Sequence, residues 1–316
     1  FAAVAALALA AAAPAGAEVP TVVASIKPVH ALVAAVMQGA GSPHLIVKGG
    51  ASPHATALKP SDAAALESAA VVVWVGEGLE AFLAPALDSL AGKATVIELA
   101  AVPGLTLLPY REGGPWAEHD EDEEEHAHEE AEEHDHGHAH DHEGADMHLW
   151  LDPENAKAIV AAIADALIAA DPDNSGVYAA NKRAMDTRLD QLSQEIARDL
   201  APVKDVPFVV FHDAFQYFDH RFGLNTVGSI TVNPETQPGA QRIREIHDKI
   251  ATLDARCVFA EPQFEPRLVQ VVVEGTAAKT GTLDPLGADI PDGPELYFEL
   301  LRRNAAALKA CLGEAS

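Results

Sequence analysis

A chain of 316 residues with 48% apolar residues is long enough to build two domains, each with its own core. The formal charge of −27 is concentrated in one tract: Glu118–Glu143, EHDEDEEEHAHEEAEEHDHGHAHDHE, holds 14 Asp/Glu and 8 His without Lys or Arg, so −13 remains for the rest. An acidic remainder speaks against nucleic acid or an anionic membrane as partner, because both require a positive face.

In chain order, the opening FAAVAALALAAAAPAGAEVP is an Ala/Leu-rich run ending in Ala15-Gly16-Ala17. It reads as the apolar region and cleavage site of a secretory signal over residues 1–17. The competing reading, a membrane anchor, needs roughly 20 apolar residues, and only about 13 precede Pro14. No cysteine follows the cleavage pattern, so the expected mature chain is free in the periplasm, without a membrane anchor.

Residues 18–170 are expected to form a first lobe. Strands are predicted at Thr21–Ile26, His44–Val47, Val71–Val75 and Thr95–Leu99, with helices at Val29–Met37, Ser61–Ala69 and Ala81–Leu90 between them. Such alternation with nearly continuous apolar strands implies a parallel sheet covered on both faces, with ligands at the carboxyl ends of the strands. The acidic/His tract carries no aromatic or branched apolar residue, so a disordered loop is expected over 112–145.

A helix is predicted from Asp152-Pro153 to about Ala170, and a longer one over Val177–Leu200, where Met185, Leu189, Leu192, Ile196 and Leu200 form an apolar stripe. The connecting helical segment is placed at 171–202 and a second lobe at 203–316. There, strands are expected at Phe208–Phe211, Leu224–Ile230, Cys257–Ala260 and Thr280–Leu283, alternating with helices at Ala214–Phe222, Ala240–Leu253, Pro266–Ala278 and Pro294–Leu312. The fold class is therefore α/β, with parallel sheets in two similar halves and a long connecting helix, which suggests a cleft between two lobes. Cys257 and Cys311 are the two cysteines, and an even pair in an exported chain reads as a disulfide, worth roughly 3–4 kcal/mol on the chain-entropy model.

Seven histidines lie outside the tract: His30, His44, His54, His148, His212, His220 and His247. His54 in GGASPHATALKPSD, His148 in DMHLWLDP and His212 in PFVVFHDAF occupy loops or strand ends, where a two-lobed α/β protein places its ligand. Three imidazoles suit Zn²⁺ and leave one position for water or a carboxylate, and Asp284 in TGTLDPLG also follows a strand. His30, after the first strand, and Glu77, in WVGEGLE, are candidates to line the site; His44, His220 and His247 read as surface residues.

The segments ASPHATALKPSD, DMHLWLDPENA, FVVFHDAFQYF, TVNPETQPGAQRI, CVFAEPQF and TLDPLG together resemble, in order and spacing, the periplasmic zinc-binding proteins of the high-affinity zinc-uptake ABC transporter, the ZnuA type. The resemblance covers essentially the whole mature chain. It implies two (βα)4 lobes joined by a long backbone helix, with one metal site in the cleft, and ligation by His54, His148 and His212, with a variable fourth position: Pro53 stands where some members carry a carboxylate, which leaves Asp284 or water. It also implies the Cys257–Cys311 disulfide, a His/acid loop of the zinc-specific branch, and an inner-membrane zinc ABC permease as partner to a monomeric binding protein. A periplasmic zinc chaperone is a second candidate partner.

For the tract, His119, His126, His128, His134, His136, His138, His140 and His142 alternate with carboxylates, so weak auxiliary Zn²⁺ capture or sensing is expected. A solvated spacer, or a preference for Cu²⁺ or Ni²⁺, are the alternatives. Two rival functions stay open: a zinc-storing chaperone whose tract is the main site, and a mononuclear zinc hydrolase. Against the latter, the sequence holds neither a His-Glu-x-x-His helix nor a nucleophile elbow. Because ligation requires neutral imidazole, metal affinity is expected to fall below about pH 6.5.

Overall fold

Residues 19–111, 116, 144–231, 234, 238–265 and 267–313 are described by the computed structural model. The predicted signal and the acidic/His tract, with its eight histidines, lie outside the described residues.

In the first half, β1 (Val22–Ala24), β2 (His44–Leu45), β3 (Val71–Trp74) and β4 (Thr95–Glu98) alternate with α1 (Lys27–Val36), α2 (Pro60–Ser68), α3 (Glu77–Glu80) and α4 (Ala84–Leu90). All strand pairs are parallel, in the order β2-β1-β3-β4. Every residue of β1 and β3 is buried, as strands covered on both faces require. Proline stands in the first turn of α1, α2 and α4, where its missing N–H has no intrahelical partner to lose.

The helix predicted over Ala81–Leu90 starts only at Ala84, as α4; the short α3 lies ahead of the predicted range, and residues 81–83 separate the two. Pro85 accounts for the break: it has no N–H to give the carbonyl four residues earlier, and its ring crowds that carbonyl. The chain resumes as α4 with Leu87 N–H on Leu83 O at 2.9 Å.

Two helices then cross the molecule, α5 (Pro153–Ala170) and α6 (Ser175–Leu200). Asp152 caps α5 by accepting the Glu154 N–H at 2.8 Å. With 26 residues, α6 is about 39 Å long. Its stripe of Tyr178, Met185, Leu189, Leu192, Ile196 and Leu200 is buried.

The second half repeats the first. β5 (Phe208–His212), β6 (Thr226–Thr231), β7 (Cys257–Ala260) and β8 (Lys279–Thr282) form a parallel sheet in the order β6-β5-β7-β8, linked by α7 (Gln216–Phe222), α8 (Ala240–Thr252) and α9 (Arg267–Val273) and followed by α10 (Leu296–Gly313). The helix expected to reach Ala278 ends at Val273, because Gly275 adopts a positive φ of 78° that turns the chain into β8. A disulfide joins Cys257 of β7 to Cys311 of α10, 54 residues apart.

One contiguous apolar cluster runs from Val22 of β1 through α1, α5, α6 and β5 to Leu312 of α10. A smaller one, with Val209, Ile230, Ile246 and Val269, fills the other face of the second sheet. The two sheets therefore share a core through the long helices, and a wide hinge opening would expose it to water.

Candidate metal centre

In both sheets the strand order turns back at the first strand, which puts the ligand crevice outside the carboxyl ends of β1/β3 and of β5/β7. His212 ends β5 and Glu261 follows β7, so both sit at the second of these points. His54 sits in a single helical turn, Pro53–Ala55, that follows β2, with Ser52 Oγ accepting the His54 N–H at 3.3 Å. His148 immediately precedes another single turn, Leu149–Leu151, which leads into the Asp152 cap of α5.

These three histidines converge. One ligating nitrogen from each lies within 4.8 Å of the others, the single such His/Cys/Asp/Glu group among the described residues. They line a pocket with Ser52, Trp150, Gln263 and Phe264, to which both halves contribute. His148 Nε2 and His212 Nε2 stand 3.2 Å apart, close to the roughly 3.3 Å edge of a tetrahedron with metal–nitrogen bonds of about 2.05 Å. The His148 and His212 ring centroids are separated by 5.0 Å, whereas His54 is 5.8 Å from His148 and 5.9 Å from His212.

Behind two of the rings stands a buried carboxylate, and neither was singled out from the sequence. Asp146 Oδ1 accepts both the backbone N–H and Nδ1 of His148, at 3.0 and 2.7 Å. Glu261 Oε1 does the same for His212, at 3.2 and 2.5 Å. Each grip places the proton on Nδ1 and leaves the Nε2 lone pair free to ligate. Burial opposes charge on His212, but Glu261, by charge and hydrogen bond, outweighs it and raises the His212 pKa. Among the described residues, no carboxylate hydrogen-bonds the His54 ring. Enclosure in the pocket first, then the His148 and His212 rings, lower its pKa to about 2, so it stays neutral although its outer edge is exposed.

The remaining candidates lie elsewhere. The Asp284 carboxylate is not part of the histidine group; it accepts Gln263 Nε2 and the N–H groups of Leu286, Gly287 and Ala288, at 2.8, 3.0, 2.9 and 2.6 Å. His30 is buried on α1 with Nε2 3.2 Å from Pro43 O, and burial lowers its pKa. Glu77 is exposed at the start of α3. Neither lines the pocket. Of the three expected surface histidines, His220 is exposed, while His44, against Asp62 at 2.9 Å, and His247, with Nε2 3.1 Å from Glu274 O, are partly buried.

Two parallel four-stranded sheets around a shared core, with three imidazoles meeting at their strand ends, define a metal-binding solute-binding protein. Residues 22–311 match the family model described as ZnuA, zinc-uptake complex component A, periplasmic. The chain belongs to that family. A high-affinity zinc uptake system protein ZnuA of Brucella suis is 54% identical over 306 residues, 93% of this chain and 92% of its own. The namesake of Yersinia pestis is 39% identical over 293 residues, covering 92% and 91%. A crystal structure of ZnuA superposes with a TM-score of 0.75 at 25% identity, over 93% of this chain and 100% of that one. The laminin-binding protein of Streptococcus agalactiae, described as an adhesin with metal-transporting activity, gives 0.74 at 27% identity, over 93% and 100%.

Proposed function

We propose that the chain captures one Zn²⁺ in the periplasm through His54, His148 and His212, with water as fourth ligand, and delivers it to an inner-membrane ABC permease. The observation that carries this is the convergence of three imidazoles from both halves of the chain, two of them held by carboxylates with Nε2 inward. Nitrogen donors favour Zn²⁺ over Mn²⁺, which prefers oxygen. Asp284 is the other candidate for the fourth position. To ligate, it would have to release part of its hold on Gln263, Leu286, Gly287 and Ala288, and unpartnered amides carry a cost of about 1–3 kcal/mol each. Water carries no such cost.

The lobes in this reading span 18–170 and 203–316, joined by 171–202, and the tract is an auxiliary collector of zinc with weak sites. The chain acts as a monomer. Family membership favours transport over hydrolysis, although three imidazoles and a water also describe a hydrolytic centre. Calorimetry on the full chain tests the proposal: His212→Ala should abolish the tight Zn²⁺ site. Undiminished tight binding would refute the ligand set, and ester or peptide hydrolysis lost in His212→Ala would favour the enzyme.

A further inference from the structure

Residues 146–152, which carry His148, precede the long helix in sequence and bond to Leu108 and Asn155 of their own half, yet side chains of the second half hold them as well. Tyr217 Oη on α7 donates to Asp146 O at 2.7 Å and accepts the Leu108 N–H at 3.1 Å. Arg221, one turn further along α7, forks onto both oxygens of Asp152 at 2.6 and 2.7 Å. Trp150 Nε1 donates to Pro285 O at 2.9 Å, and Tyr297 Oη donates to Trp150 O at 2.7 Å. Because Asp146 also grips the His148 ring, the bonds run unbroken from α7 through Tyr217 and Asp146 to the ligand.

His54 is held differently. Its turn is tied within itself, by His54 N–H on Ser52 Oγ and Thr56 Oγ1 on Ser52 O, at 3.3 and 2.6 Å. The ring spacings show the same division, with the His148–His212 pair closer than either is to His54.

We infer that Tyr217 is a positioning residue for the metal: its hydroxyl fastens the His148 segment to the half that carries His212, so that these two histidines form a preassembled pair and His54 is the ligand that joins last and leaves first. This rests on the three-histidine reading above. A preassembled pair avoids the entropic cost of ordering two ligands at capture, and a single departing ligand allows release without opening the shared core.

Tyr217→Phe in the full chain keeps the ring and removes the hydroxyl. Zn²⁺ dissociation, followed by transfer to a chelating indicator, should become about tenfold faster. The visible absorption of the Co²⁺-loaded protein should also shift, since it reports the orientation of the ligand nitrogens. His54→Ala should still bind Co²⁺, with the weaker absorption of a two-nitrogen site, whereas His212→Ala should not. A Tyr217→Phe protein with unchanged dissociation and an unchanged Co²⁺ spectrum, whatever its melting temperature, overturns the inference; so does loss of Co²⁺ in His54→Ala as complete as in His212→Ala. Undiminished Zn²⁺ affinity in His212→Ala would instead sink the three-histidine reading. Should Tyr217→Phe not fold, Arg221→Gln, which strips the fork on Asp152, carries the same expectations.

Discussion

His148 Nε2 and His212 Nε2 face each other across 3.2 Å, with Nδ1 of the first turned onto Asp146 and Nδ1 of the second onto Glu261. Two Nε2 atoms are thus turned toward each other, each ring held from behind by a carboxylate. The two carboxylates stand where the second layer of a metal site orients its histidines.

Glu261→Gln keeps the shape of the side chain but removes its charge and offers an amide that can face Nδ1 as donor. Zn²⁺ affinity in competition titrations should fall about 10–100-fold, with the fold retained. Wild-type affinity would mean that Glu261 plays no part in orienting His212.

Removing residues 118–143 should leave the tight site intact and eliminate only weak Zn²⁺ binding, because His54, His148 and His212 all lie outside that segment. Calorimetry of the deletion decides the point. Loss of the tightest site would support the storage reading, with the tract as principal binder.

Glu80 is fully buried at the end of α3, its Oε2 accepting the Val75 N–H at 2.7 Å, and burial raises its pKa from 4.5 to about 7. The folded state therefore holds a proton that the unfolded state has already lost between these values. Stability is fully present below about pH 4.5 and declines as pH rises towards 7, by about 3 kcal/mol in all. Glu80→Gln, an uncharged mimic, should flatten this part of the stability curve and gain on the wild type above pH 7. Parallel curves in urea melts from pH 5 to 8 would refute the assignment.

Reducing Cys257–Cys311 releases a loop closed over 54 residues and should cost about 4 kcal/mol. Melting temperature should drop by several degrees in reductant, and Cys257→Ala/Cys311→Ala should match the reduced protein. No drop in either would show that the bond adds nothing to the stability of the packed β7 and α10.

Much of this architecture was legible along the chain. All eight strands overlap the segments predicted as strands; in β1 and β3, burial on both faces selects the β-branched side chains that mark them, whereas β4 and β8 are partly exposed. The three histidines were singled out by their places at strand ends and in loops and by the segments around them. The carboxylates behind them were not: Asp146 lies two residues before His148 but reads as a turn former, and Glu261 is 49 residues from the ring it holds. Position at a carboxyl strand end, the cue applied to His212, would also have marked Glu261, which follows β7.

Features that depend on neighbours in the chain are readable from residue order: strand and helix periods, proline starts, an apolar stripe along α6 and the ordered segments that carry the family resemblance. Features that depend on distance come from the folding of the chain. It brought His54, His148 and His212 together and turned Asp284 to its own loop amides. It also tied the segment of His148 to Tyr217 and Arg221, across the long helix from its place in sequence. Hydrogen bonds and ligand geometry are satisfied over a few ångströms of space, and chain order does not encode which residues the shared core will carry that close.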